Sequence, residues 1–188
     1  MKKQLIIIGT IVLLITVGIC GCNEQSGQQR STIEPSDMVL TLTGLLTDYT
    51  ITERVERVES DISEVGLSFG WIKGYYIRFV RTGENINETI VFEQYISIYP
   101  IENILNVLYS GTRISNETID YDDLSKPNIG DDSLGYRMTI KDRYGNEERA
   151  YIIEFIKMDV YEQLAIFGNK TDYELLKDMA KEAEKKIK

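Results

Sequence analysis

Histidine is absent from this chain of 188 residues. Without an imidazole, the protein has no histidine base, no histidine metal ligand and no histidine pH switch. Basic residues are also few: 21 Lys and Arg stand against 30 Asp and Glu, which gives a net charge of −9. Because phosphate recognition needs clustered Lys and Arg, we expect no nucleic-acid partner. Hydrophobic residues make up 43% of the chain, which indicates a globular protein.

Cysteine is scarce. Cys20 and Cys22 are the two in the sequence, and residues 23–188 have none. The later part of the chain therefore cannot contain a disulfide, and its fold must be stable through its hydrophobic core. About 150 residues are enough for this, because a domain of that size buries roughly 68–70% of its unfolded surface.

The first 22 residues have the pattern of an export signal. Lys2 and Lys3 precede the apolar run 5–19, and small residues follow that run. This order of basic, apolar and small residues is typical of a secretory signal. Two alternatives are an uncleaved anchor, since 5–22 is just long enough to cross a bilayer, and plain secretion. All three place the rest of the chain outside the cytoplasmic membrane.

The stretch Ile19-Cys20-Gly21-Cys22 resembles the lipobox of prokaryotic lipoproteins. That motif has an aliphatic residue three positions before the cysteine and a small residue just before it, and Cys22 fits both positions. The resemblance implies cleavage before Cys22 and a lipid on its sulfur. Two or more lipid chains anchor firmly, at about 0.8 kcal/mol per buried CH₂. We therefore expect a lipid-anchored protein on the extracytoplasmic face of the cell membrane.

After this signal, the sequence divides into a tether and one domain. Residues 23–36 have a single large apolar residue, Ile33, and cannot bury enough surface to fold, so we expect a flexible polar tether. Strand patterns dominate residues 37–188, and an apolar stripe after Thr171 predicts a C-terminal helix. The expected fold class is α+β, a mostly antiparallel sheet of about six or seven strands with helices packed on it.

Several elements of this domain can be predicted from its pattern. Alternation predicts a first strand at 38–43, and the charged run 49–58 predicts an edge strand. Pro100 opens a predicted helix, and the polar residues 112–134 indicate a long loop. The hairpin of 151–167 is apolar on both sides of each strand, which favours a central position in the sheet.

This order of elements resembles the PsbP/Mog1-like α/β/α sandwich. The resemblance covers residues 37–188 and is carried by the turn at 157–161, Gly168 and the apolar positions from Leu175 to Ile187. The whole chain is also similar to small lipoproteins of archaeal envelopes. The resemblance implies a binding or assembly-assisting protein, because most known members of that fold are of that kind.

Aromatic residues form the candidate binding surface. The chain has 12 tyrosines and one tryptophan, and several lie in or beside the predicted hairpin of 74–81 and 89–99. If they face away from Phe92 and Ile96, they line a groove, since tyrosine offers apolar area with a polar tip. The alternative is that they pack beneath a helix on the second face of the sheet. The candidate ligand-binding residues are Trp71, Tyr75, Tyr95 and Tyr99.

Other motifs are weaker. The acidic residues 120–123, together with Asp131 and Asp132, lack the spacing of an EF-hand, so a solvated loop is favoured over a Ca²⁺ site. We expect neither a metal nor another cofactor. Three N-x-Thr sequons are possible glycosylation sites in an exported protein. Their asparagines are Asn87, Asn116 and Asn169.

The sequence has no catalytic signature. It contains no serine nucleophile with a visible base and no glycine-rich phosphate loop, so we predict no catalytic residues and no enzyme. The predicted function is a non-catalytic binding or assembly scaffold whose partner is another envelope protein or a small ligand. The alternative is a secreted hydrolase of surface glycans, which needs two carboxylates about 5–10 Å apart.

Overall fold

The computed structural model describes residues 30–43, 46–84, 88–110, 119–141, 147–168 and 170–188. Within them the chain forms a seven-stranded antiparallel sheet with helices on both faces, which confirms the α+β class. The strands are β1 Thr50–Arg57, β2 Lys73–Arg81, β3 Ile90–Ile98, β4 Ile119–Asp123, β5 Asp132–Lys141, β6 Glu147–Lys157 and β7 Val160–Phe167. The helices are α1 Glu64–Ser68, α2 Ile104–Ser110 and α3 Tyr173–Glu184, with single 3-10 turns at Pro35–Asp37 and Glu59–Asp61.

The strand order is β1-β2-β3-β7-β6-β5-β4. Two meanders, β1 to β3 and β4 to β7, meet where β3 pairs with β7. The connection that contains α2 carries the chain from the centre to the far edge. The hairpin of β6 and β7 lies inside the sheet, as its apolar strands predict. The two edges are the charged β1 and the short β4, both of which discourage further strand pairing.

The front face of the sheet carries most of the hydrophobic core. Phe79, Phe92 and Leu164 are fully buried there. Helix α3 covers this face with its apolar stripe, and the segment before β1 adds Met38 and Leu40. Burying each such side chain contributes about 1.5–3 kcal/mol, so this face supplies much of the stability.

The first turn of α3 is fixed by a capping side chain and by one contact with the sheet. The side chain of Asp172 caps the helix by accepting a hydrogen bond from the Leu175 amide at 2.7 Å. Tyr173 lies across β5 at Gly135, where a Cβ atom would stand 1.8 Å from the tyrosine hydroxyl. Glycine at this strand position therefore makes room for the helix.

Two sequence predictions about strands are wrong. Residues 38–43 are not a strand, although Met38 and Leu40 are buried as the alternation implies. They cross the front face instead of pairing at an edge, and the Leu40 amide donates to the Gln94 side chain at 2.9 Å. Residues 119–123, predicted as part of a loop, form edge strand β4. An edge strand buries little, so it needs no apolar alternation.

The predicted tether meets the domain before Asp37. The Ser31 amide donates to Asp159 Oδ1 at 2.8 Å, Ile33 packs against the core, and Pro35 is buried. These contacts attach the last six residues of the predicted tether to the domain, through one hydrogen bond and two apolar side chains. Residues 23–29 of the tether and the signal lie outside the described residues.

Candidate functional site

The back face of the sheet carries polar and aromatic side chains at its centre. Cross-strand partners there run from Tyr76 on β2 to Tyr95 on β3, Gln163 on β7 and Glu154 on β6. Because side chains alternate along each strand, these four point to the same side. The adjacent row of the same face contains Arg78, Glu93, Ala165 and Ile152.

Two tyrosines and one arginine surround Glu93. Tyr76 donates to its Oε1 at 2.9 Å and Tyr95 donates to its Oε2 at 3.1 Å. Arg78 Nε lies 3.5 Å from Oε1. The two tyrosine rings are in contact, with centroids 4.6 Å apart. We call Tyr76, Arg78, Glu93 and Tyr95, with Arg57, the tyrosine–arginine cluster.

Arg57 completes the cluster at the end of β1. Its guanidinium carbon lies 5.4 Å from the centroid of the Tyr95 ring, within the range of a cation–π interaction. Its nitrogens donate to two neutral oxygens, Ser97 Oγ at 3.2 Å and the Asp61 carbonyl at 3.0 Å. In the described part of the chain no carboxylate forms an ion pair with Arg57. The positive charge is thus positioned but not neutralised.

Burial raises the pKa values of the tyrosine hydroxyls in the cluster above their usual value near 10. It raises the pKa of Tyr95 to about 12, with a smaller contribution from the Glu93 carboxylate. Burial also raises the pKa of Tyr76, and its hydrogen bond to Glu93 adds to the effect. Both tyrosines are protonated at neutral pH and donate their hydrogen bonds to Glu93.

A second group of polar side chains continues across the back face. Glu154 Oε1 accepts hydrogen bonds from the Tyr136 hydroxyl at 2.7 Å and from Gln163 Nε2 at 3.3 Å. Burial raises the pKa of Tyr161 well above its usual value, and the nearby Glu154 carboxylate raises it further. The Tyr161 ring meets Tyr99 edge to face, with centroids 6.5 Å apart. The contact between Tyr161 and Tyr99 thus connects this second polar group to the apolar side chains that pack beneath α2.

The front face contains a buried polar pair that sequence reasoning missed. Gln94 and Glu162 have no solvent exposure, and Gln94 Nε2 donates to Glu162 Oε2 at 2.9 Å. Burial raises the pKa of Glu162 to about 8, an effect that the bond from Gln94 reduces. The sequence offered one indication of this pair: each residue is polar but stands where the alternation of its strand calls for an apolar side chain. The pair has no opening to solvent, so it is not a binding site.

The four predicted ligand-binding residues do not share one groove. Tyr95 lies in the tyrosine–arginine cluster. Tyr99 is buried and Trp71 is partly buried among the apolar side chains under α2. For these two residues the structure therefore shows the alternative, that the aromatic side chains pack beneath a helix. Tyr75 packs on the front face, because its neighbour Tyr76 occupies the back-face position. The prediction that Tyr75 belongs with the others is therefore wrong.

Three acidic residues of 120–132 each form contacts of their own with other parts of the chain. Asp122 forms an ion pair with Arg137 at 2.6 Å, and Asp131 accepts from the Met158 amide at 2.7 Å. Asp132 accepts from Tyr109 and Lys126 at 2.5 Å each. Among the described residues no group of three or more Asp, Glu or Cys side chains is arranged to hold a metal ion.

The remaining predicted sites cannot be placed in this structure. The lipidation site Cys22 and the sequon residues Asn87, Asn116 and Asn169 lie outside the described residues. In the part of the chain that is described, each helix is too short or too polar to cross a bilayer.

Comparison with known proteins identifies the fold but no family. No protein-family model matches the sequence, and a search of curated proteins finds no match. Among solved structures, the chain is similar to the extracellular domain of PknH from Mycobacterium tuberculosis, with a TM-score of 0.58 and 10% sequence identity. The match covers 85% of this chain and 98% of that domain. At this identity the similarity concerns the fold alone.

Proposed function

We propose that this protein is a membrane-anchored envelope lipoprotein whose extracytoplasmic domain is a non-catalytic binding or scaffold module. The observation that carries the binding role is the stacked arrangement of Arg57 over Tyr95, beside Tyr76, on the partly exposed back face. Tyrosine and arginine are enriched among the residues that carry most of the binding energy at protein interfaces, which supports a binding role for this surface.

The chemistry of the cluster favours an acidic ligand group. Glu93 already accepts hydrogen bonds from both tyrosines, whereas the Arg57 charge has no carboxylate partner in the described part of the chain. A carboxylate on a small ligand or on another envelope protein would pair with that guanidinium. The half-buried ring of Tyr95 would contact the apolar part of the same ligand.

The location and the finer fold are part of the proposal. The lipobox-like position of Cys22 supports export and anchoring, and the structurally similar PknH domain is extracellular. Helices cover both faces of the sheet, with α3 on the front and α2 on the back, which supports a PsbP/Mog1-like α/β/α sandwich.

The anchor is tested by the intact mass of protein purified from its native membrane, and by a pair of cysteine variants. We expect a mass that corresponds to cleavage before Cys22 plus lipid. Cys22→Ser is expected to release the domain or to leave an unprocessed precursor, whereas the matched control Cys20→Ser keeps the lipid. Membrane attachment of a cleaved Cys22→Ser protein would contradict the anchor.

The binding role is tested with two arginine variants of the same edge strand. Isothermal titration of the purified protein with sugar acids and short acidic peptides is expected to give binding that Arg57→Gln weakens by about tenfold or more, the factor that corresponds to about 1.4 kcal/mol. Arg54→Gln is the control, because Arg54 is exposed and points away from the back face. Equal binding by both variants would exclude the cluster as the site.

A further inference from the structure

Exposed apolar side chains collect at one end of the sheet. This is the end where β1 stops, β2 starts, β3 stops and β7 starts, as the pairs Arg57–Gly74, Lys73–Ile98 and Ile98–Val160 show. In the described part of the chain, eight large apolar residues are exposed, and six belong to the elements at this end: Tyr109, whose hydroxyl bonds to Asp132 at the start of β5, and five aliphatic residues. We call these five the end patch. They are Val58, Val65, Leu67, Ile72 and Leu105.

The elements that carry the end patch touch one another. Asn103, just before α2, donates from Nδ2 to the Phe69 carbonyl after α1 at 3.0 Å. Gly70 lies against the Pro100 ring, where an added Cβ would be 3.2 Å away. The Ile72 amide donates to the Ile98 carbonyl at 3.0 Å. The residues that follow α1 and those that precede α2 therefore lie next to each other.

The N-terminal segment joins the domain at this same end. The Ser31 amide donates to the side chain of Asp159, and the carbonyl of Asp159 accepts from the Tyr99 amide at 3.0 Å. Glu34 forms an ion pair of 2.6 Å with Lys73, the first residue of β2. The chain therefore reaches the domain next to α1 and α2 and far from the opposite end of the sheet.

The chain between Cys22 and Ser31 is short. Nine residues span at most about 30 Å when fully extended, and a flexible chain of that length has a root-mean-square span of roughly 15–18 Å. A domain of about 150 residues has a radius of gyration of about 15 Å. A lipid on Cys22 therefore keeps the end patch, rather than the far end, next to the bilayer.

We propose that the end patch rests on the lipid bilayer, with its apolar side chains in the membrane interface. This inference rests on the proposed lipid anchor. Moving exposed apolar surface out of water is favourable, and the anchor supplies the high local concentration that a patch of five side chains needs. Glu64 and Glu102 are exposed beside the patch, so we expect closer contact with zwitterionic than with anionic lipid.

The one tryptophan of the chain reports on this contact. Trp71 precedes Ile72 and lies partly buried beneath α2, at the end of the domain that bears the patch. The full chain is expressed in a host that processes lipoproteins, purified and placed in phosphatidylcholine vesicles that contain lipid brominated near the headgroup. Bromine quenches tryptophan fluorescence at short range. We expect quenching of Trp71, and less of it when part of the phosphatidylcholine is replaced by phosphatidylglycerol.

Paired variants assign the quenching to the patch. Ile72→Asn with Leu105→Asn is expected to abolish it, while Leu42→Asn, a similarly exposed residue of the segment that crosses the front face, leaves it unchanged. Far-UV circular dichroism checks that each variant is folded. A lipidated, vesicle-bound protein without quenching, or with equal quenching in all variants, overturns the inference and leaves the anchor intact. A protein without lipid that stays off the vesicles overturns both proposals.

Discussion

The two faces of the sheet are made from the same strands but differ in chemistry. On the front face, Phe79, Phe92 and Leu164 are completely buried beneath α3. On the back face, the positions that alternate with them hold Glu93 and Tyr95, which are half-buried and bonded to each other. The difference indicates that the front face stabilises the domain, whereas the back face is available for recognition.

The two faces place a glutamate in different surroundings. Glu93 on the back face contacts Tyr76, Tyr95 and Arg78. Glu162 on the front face is fully buried and accepts a hydrogen bond from Gln94. Such burial without a cation favours the neutral acid. One carboxylate is therefore organised by donors, and the other is kept protonated by its apolar surroundings.

The largest expected effect comes from truncating a front-face ring. Phe92→Ala removes a buried ring that contacts Phe79 at a centroid distance of 5.6 Å, and it should lower the free energy of unfolding by about 3–5 kcal/mol. Phe167→Ala on the back face is the matched control and should cost clearly less, because Phe167 is only partly buried. Urea unfolding measures both. Equal losses would contradict the division of roles between the faces.

The second prediction concerns the pH dependence of stability. The folded protein holds the Glu162 proton up to a pKa of about 8, whereas the unfolded chain releases it near the usual value of 4.5. The free energy of unfolding should therefore fall as pH rises from about 4.5 to about 8, by a few kcal/mol in total. Below that window both states are protonated, and the contribution is fully present.

Glu162→Gln tests this slope. Urea unfolding at pH 5 and pH 8 should show a variant with almost no such slope, and with higher stability than the parent protein at pH 8. Glu182→Gln, a change on the exposed side of α3, is the control and should keep the slope. A slope that survives in Glu162→Gln would show that another group binds the proton.

The smallest expected effect is on the back face. Tyr95→Phe removes one hydrogen bond to Glu93 but leaves Tyr76 as a donor, so the loss in unfolding free energy should be about 0.5–1 kcal/mol. The double variant with Tyr76→Phe should cost more than the sum of the single changes, because Glu93 then loses both hydroxyls. Thermal unfolding of the parent protein, the two single variants and the double variant measures these losses. A loss as large as that of Phe92→Ala would mean that the cluster is structural.

Periodicity predicted the elements that bury most surface. The helix stripe with Leu176, Met179 and Ala183 and the apolar hairpin of 151–167 lie in the core and at the centre of the sheet as expected. The pattern failed at 38–43, where buried alternation belongs to a segment that crosses the front face, and at 119–123, where an edge strand has no apolar signature. Alternating apolar residues show that one side of a segment is buried, but they do not show which part of the protein covers that side.

The candidate site was predictable only in part. That Tyr95 faces away from Phe92 follows from strand alternation, and the structure confirms it. The participation of Arg57 and Glu93 was not predictable, because it depends on the register between β1, β2 and β3. Residues far apart in the chain become neighbours only once that register exists.

The sequence by itself determined the α+β class, the acidic charge, the absence of histidine chemistry and the buried stripe of α3, because these depend on composition and on local spacing. Only the tertiary structure decided that Arg57 stacks on Tyr95, that Glu162 is buried beside Gln94, and that the N-terminal segment enters next to α1 and α2. The physical reason is that contacts between distant residues arise from strand pairing and packing.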